Sequence, residues 1–122
     1  MTAGSEAKAA ADDAFARGAY PHYVDGSRTL DKPGALAAIA EAMSFPDYFG
    51  RNLDALYDML TDLSWLPAGE HVLIWTGSQG LRDAEPKTYL AIRSVLSDAQ
   101  RALGSDGGMP GARRLTVVLA DS

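Results

Sequence analysis

The 122-residue sequence contains no cysteine, which excludes disulfide frameworks, thiolate metal sites and a cysteine nucleophile. It has no apolar run near the roughly 18–20 residues needed to cross a bilayer, so no membrane role is expected. The N-terminal stretch carries Glu6, Lys8, Asp12 and Asp13 and lacks the apolar segment of a secretory signal, so the default expectation is a cytoplasmic address. Histidine occurs only at positions 22 and 71, each bordering a strand-like run. Both read as ordinary surface or strand-end histidines rather than metal ligands or bases. The Gly104–Gly108 stretch lacks the Lys-Ser/Thr of a phosphate-binding loop, and Thr76–Gly80 lacks the glycine placement of a nucleophile elbow. No EF-hand spacing is present. No catalytic set assembles, and no cofactor or metal is expected.

Basic residues are scarce in one region in particular. Eleven Lys+Arg stand against sixteen Asp+Glu, a net charge of −5, which disfavours direct nucleic-acid binding. None of the eleven lies in residues 52–81, which carry Asp54, Asp58, Asp62 and Glu70. Thirty residues thus hold −4 of the −5, a local field suited to a basic partner.

Length and ordinary globular composition, with 47% hydrophobic and 22% charged residues, predict one compact domain. Residues 1–18, rich in alanine and ending at Gly18, read as an N-terminal extension with a frayed or peripheral helix. Tyr20–Val24 reads as a strand closed by Asp25-Gly26. Asp31 caps a helix opening near Pro33, with Leu36, Ile39, Ala40 and Met43 on one face, and Phe45-Pro46 stops it. Asn52 caps a second helix running to about Leu63. Val72–Trp75 reads as a strand, and Thr76–Glu85 as a loop. Pro86 opens a longer helix carrying Ile92, Val95, Leu96, Ala99 and Leu103 on one face. Residues 104–112 read as a mobile glycine-rich segment, and Leu115–Ala120 as a strand of the kind buried in parallel sheets. Strands alternating with helices predict an α/β domain with a small parallel sheet.

The helix after Asn52 has two contrasting faces. At about 100° per residue, Leu53, Leu56, Met59, Leu60 and Leu63 share one arc. Asp54, Asp58 and Asp62, at i, i+4 and i+8, line the opposite arc, with Tyr57 and Thr61 on its border. Aspartate is a poor interior helix former, and each like-charge i,i+4 pair destabilises by roughly 0.2–0.5 kcal/mol. Asp54 sits where the helix dipole favours it, but Asp62 lies near the end where the dipole opposes it. A face kept at that cost suits a cationic partner. It does not suit hydrolysis, because carboxylates on one stripe face the same way rather than each other across a cleft. Of the aromatics in the preceding loop, Phe45 and Phe49 read as core plugs. Tyr48 reads equally as core or as an interface anchor. Gly50 supplies either a backbone conformation closed to other residues or close approach by a partner.

The run Phe45–Leu60, FPDYFGRNLDALYDML, resembles the barstar family, intracellular protein inhibitors of a secreted bacterial ribonuclease. The order of elements on both sides is similar too, so the resemblance covers roughly residues 19–120. It implies a two-layer α/β fold with a three-stranded parallel sheet and about four helices, and divides the chain into an extension, 1–18, and a barstar-like domain, 19–122. It further implies a nuclease-binding surface of Tyr48, Gly50, Asn52, Asp54, Tyr57, Asp58 and Thr61, with an acidic contact near Asp98. Asp58 matches the dominant carboxylate. Tyr57 stands where tryptophan is expected, and Met59 replaces a cysteine. The partner so implied is a basic ribonuclease or nuclease toxin, met by a free monomer. An adaptor or immunity protein binding another basic protein on the same scaffold is the competing expectation.

Overall fold

The computed structural model describes residues 3–104 and 112–121. The chain runs α1 (Ala3–Ala16), β1 (Tyr20–Val24), a 3-10 turn (Gly26–Arg28), α2 (Lys32–Ala42), α3 (Leu53–Asp62), β2 (Gly69–Thr76), α4 (Gln79–Ala84), α5 (Pro86–Gly104) and β3 (Arg113–Ala120). The three strands form one parallel sheet in the order β1-β2-β3. This is the α/β architecture expected, with four helices of seven or more residues among the described residues. The glycine-rich segment predicted to be mobile lies, from 105 to 111, outside the described residues.

Strand side chains alternate between faces, and the core divides accordingly. His71, Leu73 and Trp75 of β2 are fully buried on one face. Leu73 and Trp75 pack there with Leu36 and Ile39 of α2, Leu56 and Leu60 of α3, and Ile92 and Leu96 of α5. Val72 and Ile74 point the other way, into a smaller cluster with Ala7, Ala11, Ala14, Ala19 and Ala120. The N-terminal helix, expected to be frayed or peripheral, therefore covers the second face of the sheet. Its buried residues, spaced three and four apart, are all alanine, so the helix can lie close to the strands although its apolar signal in the sequence is weak.

Ionic contacts fix α1 in place. Arg17 donates Nε and Nη2 to the two carboxylate oxygens of Glu70, both at 2.9 Å. It also pairs with Asp13. Thr116 Oγ1 on β3 donates to Glu70 Oε2 at 2.6 Å. One carboxylate thus joins α1, β2 and β3. The Arg17 guanidinium, helped by the Thr116 hydroxyl, holds the Glu70 carboxyl down at about 2.

Two further expectations need correction. The Thr76–Glu85 segment is not wholly loop, because Gln79–Ala84 forms α4. Its N-terminus is closed from afar: Asp121 Oδ1 accepts from the Ser78 backbone N–H and hydroxyl, both at 2.7 Å. No local capping residue is needed, so no local signal exists. The apolar β3 is an edge strand, and the strand buried on both sides is β2. Gly26 is demanded by close approach, since a Cβ there would fall 1.9 Å from the Thr76 carbonyl oxygen.

Two outcomes follow. Glu70 is ionised well below its ordinary value of 4.5 in the folded chain, so its contribution is complete above about pH 4.5 and lost as pH falls through about 2. Acid unfolding followed by circular dichroism should show that loss, and Glu70→Gln should flatten the profile across this window. Leu56→Ala, truncating a fully buried side chain, should cost about 2–5 kcal/mol in urea unfolding.

Candidate functional site

The site is built on α3. Asn52 caps it as predicted: its Oδ1 accepts from the Ala55 backbone N–H at 2.8 Å, and its Nδ2 donates to the Gly50 carbonyl at 3.3 Å. Leu56 and Leu60 are fully buried and Met59 nearly so, so the apolar arc faces the core. The helix ends on Leu63, buried with φ of 50°. A left-handed leucine costs about 1–2 kcal/mol, offset by complete burial of its side chain. The chain then turns back, and Trp65 Nε1 donates to the Met43 carbonyl at 2.9 Å.

Asp54, Asp58 and Asp62 lie on the exposed arc. Among the described residues, the side-chain carboxylates of Asp54 and Asp58 form no hydrogen bond or ion pair. Asp62 Oδ2 accepts from the Ser64 hydroxyl at 3.0 Å and meets no cation. Tyr57 is 37% exposed, one helical turn after Leu53 and beside Asp58. Thr61 turns its hydroxyl inward to the helix, donating to the Tyr57 carbonyl at 2.8 Å.

The loop before α3 divides its aromatics. Phe45 packs edge-on against Phe49 at 4.9 Å and Trp65 at 5.8 Å, as core plugs should. Tyr48 is 71% exposed and, among the described residues, has no hydrogen-bond or ring partner, so it is not a core residue. Gly50 lies outside the left-handed region, which Arg51 occupies at φ 53°. The backbone reading of Gly50 is therefore wrong. A Cβ there would crowd Asn52 Nδ2 at 3.3 Å and Ala55 Cβ at 3.4 Å, so the glycine leaves room for the cap.

Two acidic residues behave differently from the stripe. Glu70, counted in the acidic field by position, is bound to Arg17 and adds no free charge. Asp98, on α5, is half-buried and paired with Arg101 one turn later. It shares a face of α5 with Ala91, which lines a small cavity with Leu53 of α3. That places it on the side of α5 turned to α3. The two histidines are not ordinary strand-end residues either. His22 Nε2 and His71 Nδ1 are 2.9 Å apart, and His71 is fully buried. Their contact depends on strand register, which no local pattern reveals. Among the described residues no cluster of three or more His, Asp or Glu could hold a metal ion, and no helix is long and apolar enough to cross a membrane.

A family model described as Barstar (barnase inhibitor) matches residues 19–114, more than three quarters of the chain. The chain belongs to the barstar family. It matches none of the curated proteins compared with it. The matched region contains β1, β2, α3 and the loop before it, while α1 precedes it. Members of this family are inhibitors rather than enzymes, and the unpaired carboxylate stripe sits within the matched region.

Asn52→Ala should lower stability by about 1 kcal/mol, the usual value of an N-cap, as read by thermal unfolding.

Proposed function

We propose that this protein inhibits a basic ribonuclease by placing the α3 carboxylates in the enzyme's active site, where they substitute for substrate phosphates. The observation that carries the reading is the exposed, uncompensated pair Asp54 and Asp58 on a helix whose other face is locked into the core. A rigid anion row meets the arginine, lysine or histidine side chains that hold phosphate, forming charge-assisted hydrogen bonds. Tyr48 and Tyr57 pack at the edges as aromatic anchors. Asn52 and Gly50 hold the helix start in shape, and Thr61, Asp62 and Asp98 extend the acidic and polar border. Residues 19–122 form the domain that carries the inhibitory surface, and residues 1–18 extend it with the helix that covers the second face of its sheet. The protein acts in the cytoplasm, as a monomer until it meets the nuclease.

Opposite charges across the encounter give fast association that slows steeply with salt. Reading the same face as the docking site of a basic protein without nuclease activity requires no different geometry, so the test must include catalysis. The outcome expected is capture of a basic ribonuclease from the source cells on the immobilised protein, with its RNA cleavage suppressed on binding. Asp58→Ala should weaken that complex by roughly 30- to several thousand-fold, since truncating one partner of a buried interfacial charge pair costs about 2–5 kcal/mol. Unchanged affinity in that variant would mean that Asp58 is not the dominant contact. A captured partner without nuclease activity would favour the adaptor.

A further inference from the structure

His22 and His71 take no part in the proposed interface, yet their ring nitrogens line up in a continuous chain of polar contacts between two backbone carbonyls. His22 Nδ1 lies 3.2 Å from the Ala42 carbonyl oxygen. His22 Nε2 and His71 Nδ1 are 2.9 Å apart, and His71 Nε2 lies 2.8 Å from the Pro67 carbonyl oxygen. Both carbonyl oxygens can only accept. Filling all three contacts therefore takes three protons, whereas two neutral rings carry two. In the neutral pair one contact must face lone pair to lone pair. The longest contact bears this best, so His22 Nε2–H donates to His71, His71 Nε2–H donates to Pro67, and His22 Nδ1 is left facing Ala42 without a hydrogen. One further proton, placed on His22 Nδ1, completes the chain.

The helix end gives that contact its weight. α2 closes with the Phe45 N–H donating to the Ala40 carbonyl at 2.9 Å and the Ser44 N–H to the Glu41 carbonyl at 3.3 Å. Ser44 takes the left-handed conformation usual for this kind of closure. The Met43 carbonyl is taken by Trp65. In a continued helix the Ala42 carbonyl would receive its bond from residue 46, which is proline and has no N–H. Among the described residues, its hydrogen-bond partner is His22.

We infer that His22 and His71 form a one-proton latch: protonation of His22 Nδ1 fastens the last carbonyl of α2 to β1, and its loss releases that end of α2 and the 44–51 loop that carries Tyr48. The proton has a route in, because His22 and Ala42 line a cavity of about 330 Å³ shared with Pro21, Tyr23, Asp25, Arg28 and Glu41. The charged groups on that cavity are Asp25, Glu41 and Arg28, the last bonded to Glu41 at 2.7 Å. On the His71 side, the Tyr20 ring stacks at 5.0 Å and Arg113 of β3 repels a positive charge. The 63–68 loop brings no titratable side chain. Burial holds both rings below the ordinary histidine value of 6.5, with repulsion between them adding to it at His22 and the Ala42 carbonyl opposing it. The latch therefore closes on the acid side of neutrality and takes up a single proton.

The inference is independent of any nuclease, and so is its test. The whole protein, labelled with nitrogen-15, is titrated from pH 8 to pH 5 while ring nitrogens and backbone amides are followed by NMR. His22 Nδ1 should move from the range of a bare ring nitrogen to that of a protonated one, while His22 Nε2 and His71 Nε2 stay protonated throughout. The amides of Met43, Ser44 and Phe45 should shift along the same curve. In His71→Phe the constraint on the His22 tautomer is gone, so Nδ1 should carry its proton already at pH 8 and the pH response of those amides should disappear. His22 Nδ1 found protonated at pH 8 in the unaltered protein would overturn the latch, and this reading stands even if the variant fails to fold. Amides 43–45 responding equally to pH in a folded His71→Phe would overturn it as well.

Discussion

The rotation of α3 about its own axis is the constraint on which the candidate site depends. Leu56 and Leu60 are fully buried in the cluster that also holds Ile92 and Leu96 of α5 and Leu73 and Trp75 of β2. Burying one stripe of a helix fixes the direction of every other side chain on it. The carboxylates of Asp54 and Asp58 point outward because those leucines point inward. Asn52 sets where the helix starts, and the left-handed Leu63 sets where it stops. Between these two fixed ends the anion row has little freedom to rearrange, so association through it, as proposed, would carry a small ordering cost.

Other acidic residues show what ordinary surface charge does in this chain. Asp12 pairs with Lys8, Asp13 and Glu70 with Arg17, Glu41 with Arg28 and Asp98 with Arg101. These local pairs cancel much of the field around them, and each exposed one adds little to stability. Among the described residues the three carboxylates of the α3 stripe form no such ion pair, and their lack of cationic partners has two effects at once. It leaves mutual repulsion within the helix, and in the proposed complex the desolvation of those charges would have to be offset by the partner rather than by the chain itself.

Much of this organisation was readable from residue order because the decisive signals are local. The Asn52 and Asp31 caps, the helical spacing of Leu56, Met59 and Leu60, and the charge gap from 52 to 81 are all contained within short windows. The run from Phe45 to Leu60 is long enough to indicate a family without any structure. What escaped depends on contacts between distant segments. Glu70 is a free charge by its position in the sequence, but Arg17, 53 positions away, binds it. The Ser78–Asp121 closure of α4 spans 43 positions, and the His22–His71 contact spans 49. The seating of α1 was hidden for another reason: alanine contributes little hydrophobic contrast, yet its small size is what allows a helix to sit close against a sheet.

That seating has a practical consequence for anyone shortening the protein. The family-matched region begins at residue 19, so a version trimmed to it would look complete by alignment. It would nevertheless leave Val72 and Ile74 wet on a bare sheet face and strip Glu70 of its guanidinium. With β1 and β3 also at the edges of the sheet among the described residues, such a fragment would offer a flat, sticky plane to its own copies. Clumping in the tube would then be a defect of the trimming, not a property of the inhibitor fold.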